Sequence, residues 1–263
     1  MKTSEFIEVM ERMAPPYLAE SWDNPGLLVG EKENEIKKVL VALDVTDEVV
    51  EEAVNINASR IVTHHPMIFG SIKKVNDDTH LGSRIIKLIK NGIGHYAMHT
   101  NLDIAFGGVN DELAKILDMK NVQVLSVSCE QDGKENGLGR YGDITPKTLK
   151  EFALEIKEKL GLDGIRIIGD EDNIVSKAGL CTGAGIEFMG DAKKNGCDVY
   201  ITSDIKYHDS QKALEEGISL IDATHYGSEN IIVPVIAKYI RENIKDIEVV
   251  ESKVDGQVFK TLK

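Results

Sequence analysis

Three features of the sequence predict an α/β fold built as two interconnected lobes, each with a mixed and largely parallel sheet. From Lys38 onward, short β-branched runs alternate with stretches whose apolar residues recur at helical spacing. The runs are apolar throughout, as strands buried on both faces are, and each ends in a polar cluster. A similar alternation restarts after residue 122. Residues 1–121 and 222–263 are assigned to one lobe and residues 122–221 to the other.

Residues 3–13 read as an amphipathic helix closed by Pro15 and Pro16. The turn-rich stretch Ser21-Trp-Asp-Asn-Pro-Gly26 holds the sole tryptophan, Trp22, expected as a core anchor, with ligand stacking as the alternative. A strand over residues 39–43 ends at Asp44. Thr46 caps a helix that carries Val49, Val50, Ala53 and Val54 on one side. The strand Arg60–Thr63 runs into His64 and His65, and Pro66 stops it. A helix over residues 81–90, with Ile85, Ile86 and Ile89 facing inward, stops at Asn91 and Gly92. A strand over residues 93–98 delivers His99-Thr-Asn-Leu-Asp103, and Gly107 and Gly108 open a helix over residues 109–119.

In the second lobe, residues 130–142 are polar and glycine-rich, a linker or hairpin. Thr145 and Pro146 suit the N-cap and first position of a helix that reaches Leu160. Strands follow over residues 165–168 and 176–181. Thr182-Gly-Ala-Gly185 is either a phosphate cradle or a tight turn; neither a P-loop lysine nor a complete GxGxxG accompanies it. A strand over residues 198–202 precedes Asp204, Lys206 and His208 and a helix to Glu216. The strand over residues 219–223 delivers Thr224-His-Tyr-Gly-Ser-Glu229. Pro234 fits the first turn of the final helix, which puts Glu229 in an approach turn. Residues 247–250 complete the pattern as an edge strand.

The net charge of -13 argues against nucleic acid or anionic membrane as a partner. Cys129, Cys181 and Cys197 form no CxxC pair and no disulfide framework, which points to a reducing cytoplasm. The opening helix carries glutamates where a signal peptide needs an apolar centre, and the apolar run 231–237 is far too short to span a bilayer.

Ligands of such sheets collect beyond the carboxyl ends of the strands, where the polar clusters fall. Adjacent histidines inside a strand would point to opposite faces, but at a strand end both can reach one cavity. His225 and Glu229 are four apart, the spacing of one helix face. Five candidate metal ligands result: His64, His65, Asp103, His225 and Glu229. Three imidazoles and two carboxylates exceed what one catalytic zinc takes and suit two divalent ions. The mixed nitrogen and oxygen set accepts zinc, manganese, iron, cobalt or nickel.

Six blocks, among them Ser21-Trp-Asp-Asn-Pro-Gly26, Thr63-His-His-Pro66, His99-Thr-Asn-Leu-Asp103 and Gly137-Leu-Gly-Arg-Tyr-Gly142, are matched in order. With Thr202-Ser-Asp204 and Asp222-Ala-Thr-His-Tyr-Gly-Ser-Glu229 they give a chain that resembles the NIF-three-like family, also called GTP cyclohydrolase type 2 homologues. The resemblance implies a dinuclear metal centre at His64, His65, Asp103, His225 and Glu229, with two divalent ions per subunit. It also implies a toroidal homohexamer, a trimer of dimers. The activity it implies is metal-dependent hydrolysis, as GTP cyclohydrolase: water opens the GTP imidazole ring with loss of formate, and His99 and His208 are the candidate proton donors. A non-enzymatic metal-binding adaptor or regulatory assembly is the alternative.

Overall fold

The structure, a computed structural model, describes residues 1–131 and 133–262. In chain order, α1 (Thr3–Met13) and β1 (Gly26–Val29) precede β2 (Lys38–Ala42), α2 (Asp47–Asn55), β3 (Arg60–Thr63), α3 (His80–Lys90), β4 (Gly94–Ala97) and α4 (Thr100–Ile104). Next come α5 (Val109–Ile116), β5 (Lys120–Gln131), β6 (Lys134–Thr148), α6 (Leu149–Lys159), β7 (Arg166–Ile168) and β8 (Ile174–Leu180). They are followed by α7 (Met189–Lys194), β9 (Val199–Thr202), α8 (Tyr207–Glu216), β10 (Ser219–Asp222) and α9 (His225–Glu229). Last are α10 (Ile232–Asn243) and β11 (Glu248–Glu251).

These elements form two compact units, one of residues 1–105 with 232–256, the other of residues 106–231 with the segment from Gln257 onward. Sequence reasoning draws the boundaries at residues 121 and 222; packing draws them earlier in one place and later in the other. Leu113, Ala114 and Leu117 of the α5 region share a core with Phe152 and Ile156, so α5 goes with the second sheet. Strand β10 pairs with β9 and β7, which takes His225 and Glu229 into the second unit as well.

The first unit holds a five-stranded sheet in the order β1-β4-β3-β2-β11, with β4, β3, β2 and β11 parallel and β1 antiparallel. Leu40, Ala42 and Ile61 pack with Val49, Val50, Ala53 and Leu88 of α2 and α3. Val39, Val41 and Val62, alternating with them, are also fully buried. The sheet is therefore covered on both faces, as the unbroken apolar runs predict. Thr46 accepts a hydrogen bond from the Val49 amide at 3.2 Å and starts α2 as expected.

The second unit holds six strands in the order β5-β6-β8-β9-β10-β7. Only β8, β9 and β10 run parallel to one another; β5, β6 and β7 pair antiparallel. Val199, Ile201 and Ile221 face one core and Tyr200 and Leu220 the other, so this sheet too is buried on both sides.

Of the two readings of residues 130–142, linker or hairpin, the hairpin holds. Strands β5 and β6 pair antiparallel, with Glu130 opposite Glu135 and Gln131 opposite Lys134, and most of the stretch is the first part of the long β6. Its glycines allow neighbouring backbones to pass close: a Cβ on Gly137 would lie 1.9 Å from the Ser126 carbonyl oxygen. The helix expected from Thr145 begins later. Thr148 caps it, with the Glu151 amide donating to Thr148 Oγ1 at 3.1 Å and the Thr148 amide to Glu151 Oε2 at 2.9 Å. This reciprocal capping box outcompetes the Thr-Pro signal, and Pro146 stays in the strand. Among the described residues no helix is long and apolar enough to cross a membrane.

Candidate metal centre

In the first unit, parallel register brings three strand ends level. Ala42 pairs with Thr63, and Thr63 with Ala97. The residues just beyond, Asp44, His64, His65 and His99, therefore emerge side by side at the carboxyl edge. The ring centroids of His64 and His65 are 5.0 Å apart, those of His64 and His99 5.3 Å, and those of His65 and His99 5.6 Å. Ring nitrogens of the three come close enough together to hold one ion. Asp103, on α4, places Oδ1 3.6 Å from His64 Nε2.

Each ring has a fixed orientation. His64 Nδ1 donates to the Met98 carbonyl at 2.8 Å, His65 Nδ1 to Asp44 Oδ1 at 2.8 Å, and His99 Nδ1 to Asp23 Oδ1 at 2.8 Å. A carbonyl or carboxylate oxygen can only accept here, so Nδ1 carries a proton in each ring, and in the neutral form of the ring Nε2 keeps its lone pair. Burial by itself would raise the Asp23 carboxyl. Hydrogen bonds from His99 and Thr100, the charge of His99 and the Asn24 amide outweigh it and hold the group at about 2.

The second unit repeats the device. Leu180 pairs with Ile201, and Thr202 with Asp222, so Gly183, Asp204 and His225 follow level strand ends. His225 Nδ1 donates to Asp204 Oδ2 at 2.8 Å, while its Nε2 lies 3.0 Å from Glu229 Oε2. Glu229 is not in an approach turn: it is the last residue of α9, a short helix capped by Thr224, and is buried. His225 and Asp204 also border a cavity of about 400 Å³ with Arg166, Asp222, Thr224 and Phe259.

The turn Thr182-Gly-Ala-Gly185 supports Glu229 and is no phosphate cradle. The Gly183 amide donates to Ser228 Oγ at 3.1 Å, the Gly185 amide to Thr202 Oγ1 at 3.0 Å, and the Thr182 amide to Asn110 Oδ1 at 3.0 Å. These amides already have protein acceptors. A Cβ on Gly183 would stand 2.1 Å from Glu229 Oε1 and 3.3 Å from His225 Nε2, so the backbone closes directly onto the carboxylate.

His208 lies elsewhere, exposed on α8 with Nδ1 3.1 Å from Gln211 Oε1. Sequence reasoning misses Asp23 and Asp44 as partners of the histidines and places Asp204 only as a polar residue past a strand end. The available signal was position, since each acid follows or faces the carboxyl end of a strand.

The donor set fits a cation. With Nδ1 hydrogen-bonded, each ring turns Nε2 toward a carboxylate, His64 toward Asp103 and His225 toward Glu229. A divalent cation placed between such a ring nitrogen and carboxylate oxygen would be attracted by both. Hydrogen-bonded Nδ1 with Nε2 aimed at a neighbouring carboxylate is the arrangement of metal-ligating histidine.

Known proteins share this sequence and fold. The family model described as Duf34/NIF3 (NGG1p interacting factor 3) matches residues 1–257. A Clostridium perfringens protein named GTP cyclohydrolase 1 type 2 homolog is 38% identical over 255 residues, covering 96% of this chain and 97% of the relative. Among solved structures, a Bacillus cereus protein related to NIF3 superposes with a TM-score of 0.95 at 26% identity, covering 100% of this chain and 99% of the other. The Staphylococcus aureus hypothetical protein SA1388 gives a TM-score of 0.91 at 30% identity, covering 100% and 99%.

Proposed function

The chain belongs to the Duf34/NIF3 family, and from that premise we propose that it is a metal-dependent hydrolase of a small molecule. GTP is the substrate to test first, because curated relatives carry the name GTP cyclohydrolase 1 type 2 homolog. In this reading His64, His65 and Asp103 of the first unit and His225 and Glu229 of the second are the ligands of two divalent ions. Zinc, iron, manganese, cobalt and nickel all suit the mixed donor set.

One observation carries the proposal. In each unit an Nδ1-protonated histidine turns Nε2 onto a carboxylate, at 3.6 Å for His64 and Asp103 and 3.0 Å for His225 and Glu229. Divalent ions held there would supply Lewis acidity and lower the pKa of water. The chain's own contribution is to fix the ring planes through Met98, Asp44 and Asp204. His99, held by Asp23, is the proton carrier that the arrangement favours over the outward-facing His208.

We further propose the toroidal homohexamer, a trimer of dimers, and a cytoplasmic location. The family resemblance supports the first, and three free cysteines support the second.

The test incubates metal-loaded protein with GTP and measures formate. Release that disappears in His65→Ala supports the hydrolase. Full metal loading with no release above that control retires GTP as the substrate and favours a non-enzymatic metal-binding assembly.

A further inference from the structure

Trp22, expected in the core, is 57% exposed, and so is Phe69 at 57%. Their ring centroids are 5.7 Å apart with planes inclined at 52°. His99 meets both edge-on, at 6.1 Å and 75° in each case. Two exposed aromatic faces thus form a corner whose third member belongs to the cluster of His64, His65 and His99.

The corner is built rigidly. Asn24 Nδ2 donates to the Ile68 carbonyl at 2.7 Å and ties the loop of Trp22 to that of Phe69. Next to Trp22, Asp23 Oδ2 accepts from the Thr100 amide at 3.0 Å and the Thr100 hydroxyl at 2.5 Å, while Oδ1 accepts from His99. Large apolar rings held in place yet open to water mark a binding surface. An occupant covering them also covers His99, so it needs an apolar planar face and, in the same plane, polar atoms for the imidazole side. A purely apolar partner surface would strip water from the imidazoles and give nothing back.

We infer that Trp22 and Phe69 are the stacking wall for a planar heteroaromatic ring of the substrate, and so set its specificity; this rests on the hydrolase reading above. Because Trp22 is the only tryptophan, the emission of the whole protein reports on the corner alone. The experiment titrates metal-free protein with guanosine and with cytidine, using ribose as the control, and follows tryptophan fluorescence.

Saturable quenching by the nucleosides and none by ribose is expected. Phe69→Ala should weaken it about five-fold or more, the scale of losing one base-stacking partner, and Phe69→Tyr should restore it. Circular dichroism of both variants confirms folding. Absence of quenching, or equal affinity in Phe69→Ala, would overturn the inference. So would ligand-free emission that shifts to the red on dilution, since a second copy would then be what covers Trp22. Quenching without turnover of any nucleotide by metal-loaded protein keeps the wall and retires the hydrolase. Turnover without quenching does the opposite.

Discussion

His65 Nδ1 stands 2.8 Å from Asp44 Oδ1, and the same separation joins His225 to Asp204 in the other unit. In both cases the acid follows one parallel strand and the histidine the next. The carboxylate selects the tautomer, orients the ring and makes Nε2 more basic. The pairs are therefore positioning devices as much as ion pairs.

Replacing either acid should weaken metal binding while leaving the fold in place. Asp44→Asn and Asp204→Asn are each expected to lower metal affinity by about 10- to 100-fold. Competition with a chelator, read by elemental content, measures it. Wild-type affinity in both variants would show that ring orientation is set by other contacts.

Gly183 has φ of +62°, and a Cβ there would stand 2.1 Å from Glu229 Oε1. Gly183→Ala must bear the left-handed conformation, about 1–2 kcal/mol, and must also displace the carboxylate. Its melting temperature is expected to fall and its metal content to fall further. Gly161, also left-handed but with open space around it, is the control: Gly161→Ala should lose stability with no change in metal.

Much of this was legible because strand ends and ligands obey simple periodicity. The run 39–43, the pair His64-His65 and the four-residue spacing of His225 and Glu229 can be read directly. Trp22 was misplaced because large apolar residues are usually interior, and a sequence does not show which one a loop holds outward. The polar, glycine-rich stretch 130–142 left linker and hairpin open; what its glycines serve, close approach to Ser126, Leu180 and Lys120, is a tertiary demand with no local signature. Thr148 and Glu151 overruled Thr145 and Pro146 since two reciprocal hydrogen bonds outweigh a preference in φ.

Acid should destabilise the first unit through His95. Thr63 Oγ1 donates to the His65 carbonyl at 2.6 Å and so accepts from His95 Nε2 at 2.7 Å. His95 Nδ1, buried, has no hydrogen-bond partner among the described residues. Burial, and then the charge of Arg60, pushes this histidine down from 6.5 to about 3. With the folded value below the unfolded one, the stability is fully present above the unfolded value and is lost as pH falls toward about 3. Between pH 7 and pH 5 the loss is about 2 kcal/mol. Urea midpoints of metal-free protein should show it, and His95→Gln should flatten that dependence. An equal slope in the variant would assign the acid sensitivity to other groups.

Arg140 separates a structural motif from the metal centre. Its guanidinium is buried, with Nε 2.5 Å from Asp111 Oδ1 and Nη2 3.1 Å from Asp111 Oδ2. Nη1 donates to the carbonyls of Gly137 and Gly139, at 3.0 and 2.8 Å. One side chain thereby ties α5 to the glycine-rich part of β6. Asp111→Ala removes the bidentate carboxylate from the buried guanidinium and should cost about 3–5 kcal/mol in urea unfolding. Asp111→Asn, which keeps an acceptor oxygen, should cost less. Neither should change metal content in protein that remains folded, since Asp111 bonds to Arg140 and the Gly107 amide and not to His225 or Glu229. Loss of metal at full stability would instead place this motif in the service of the site.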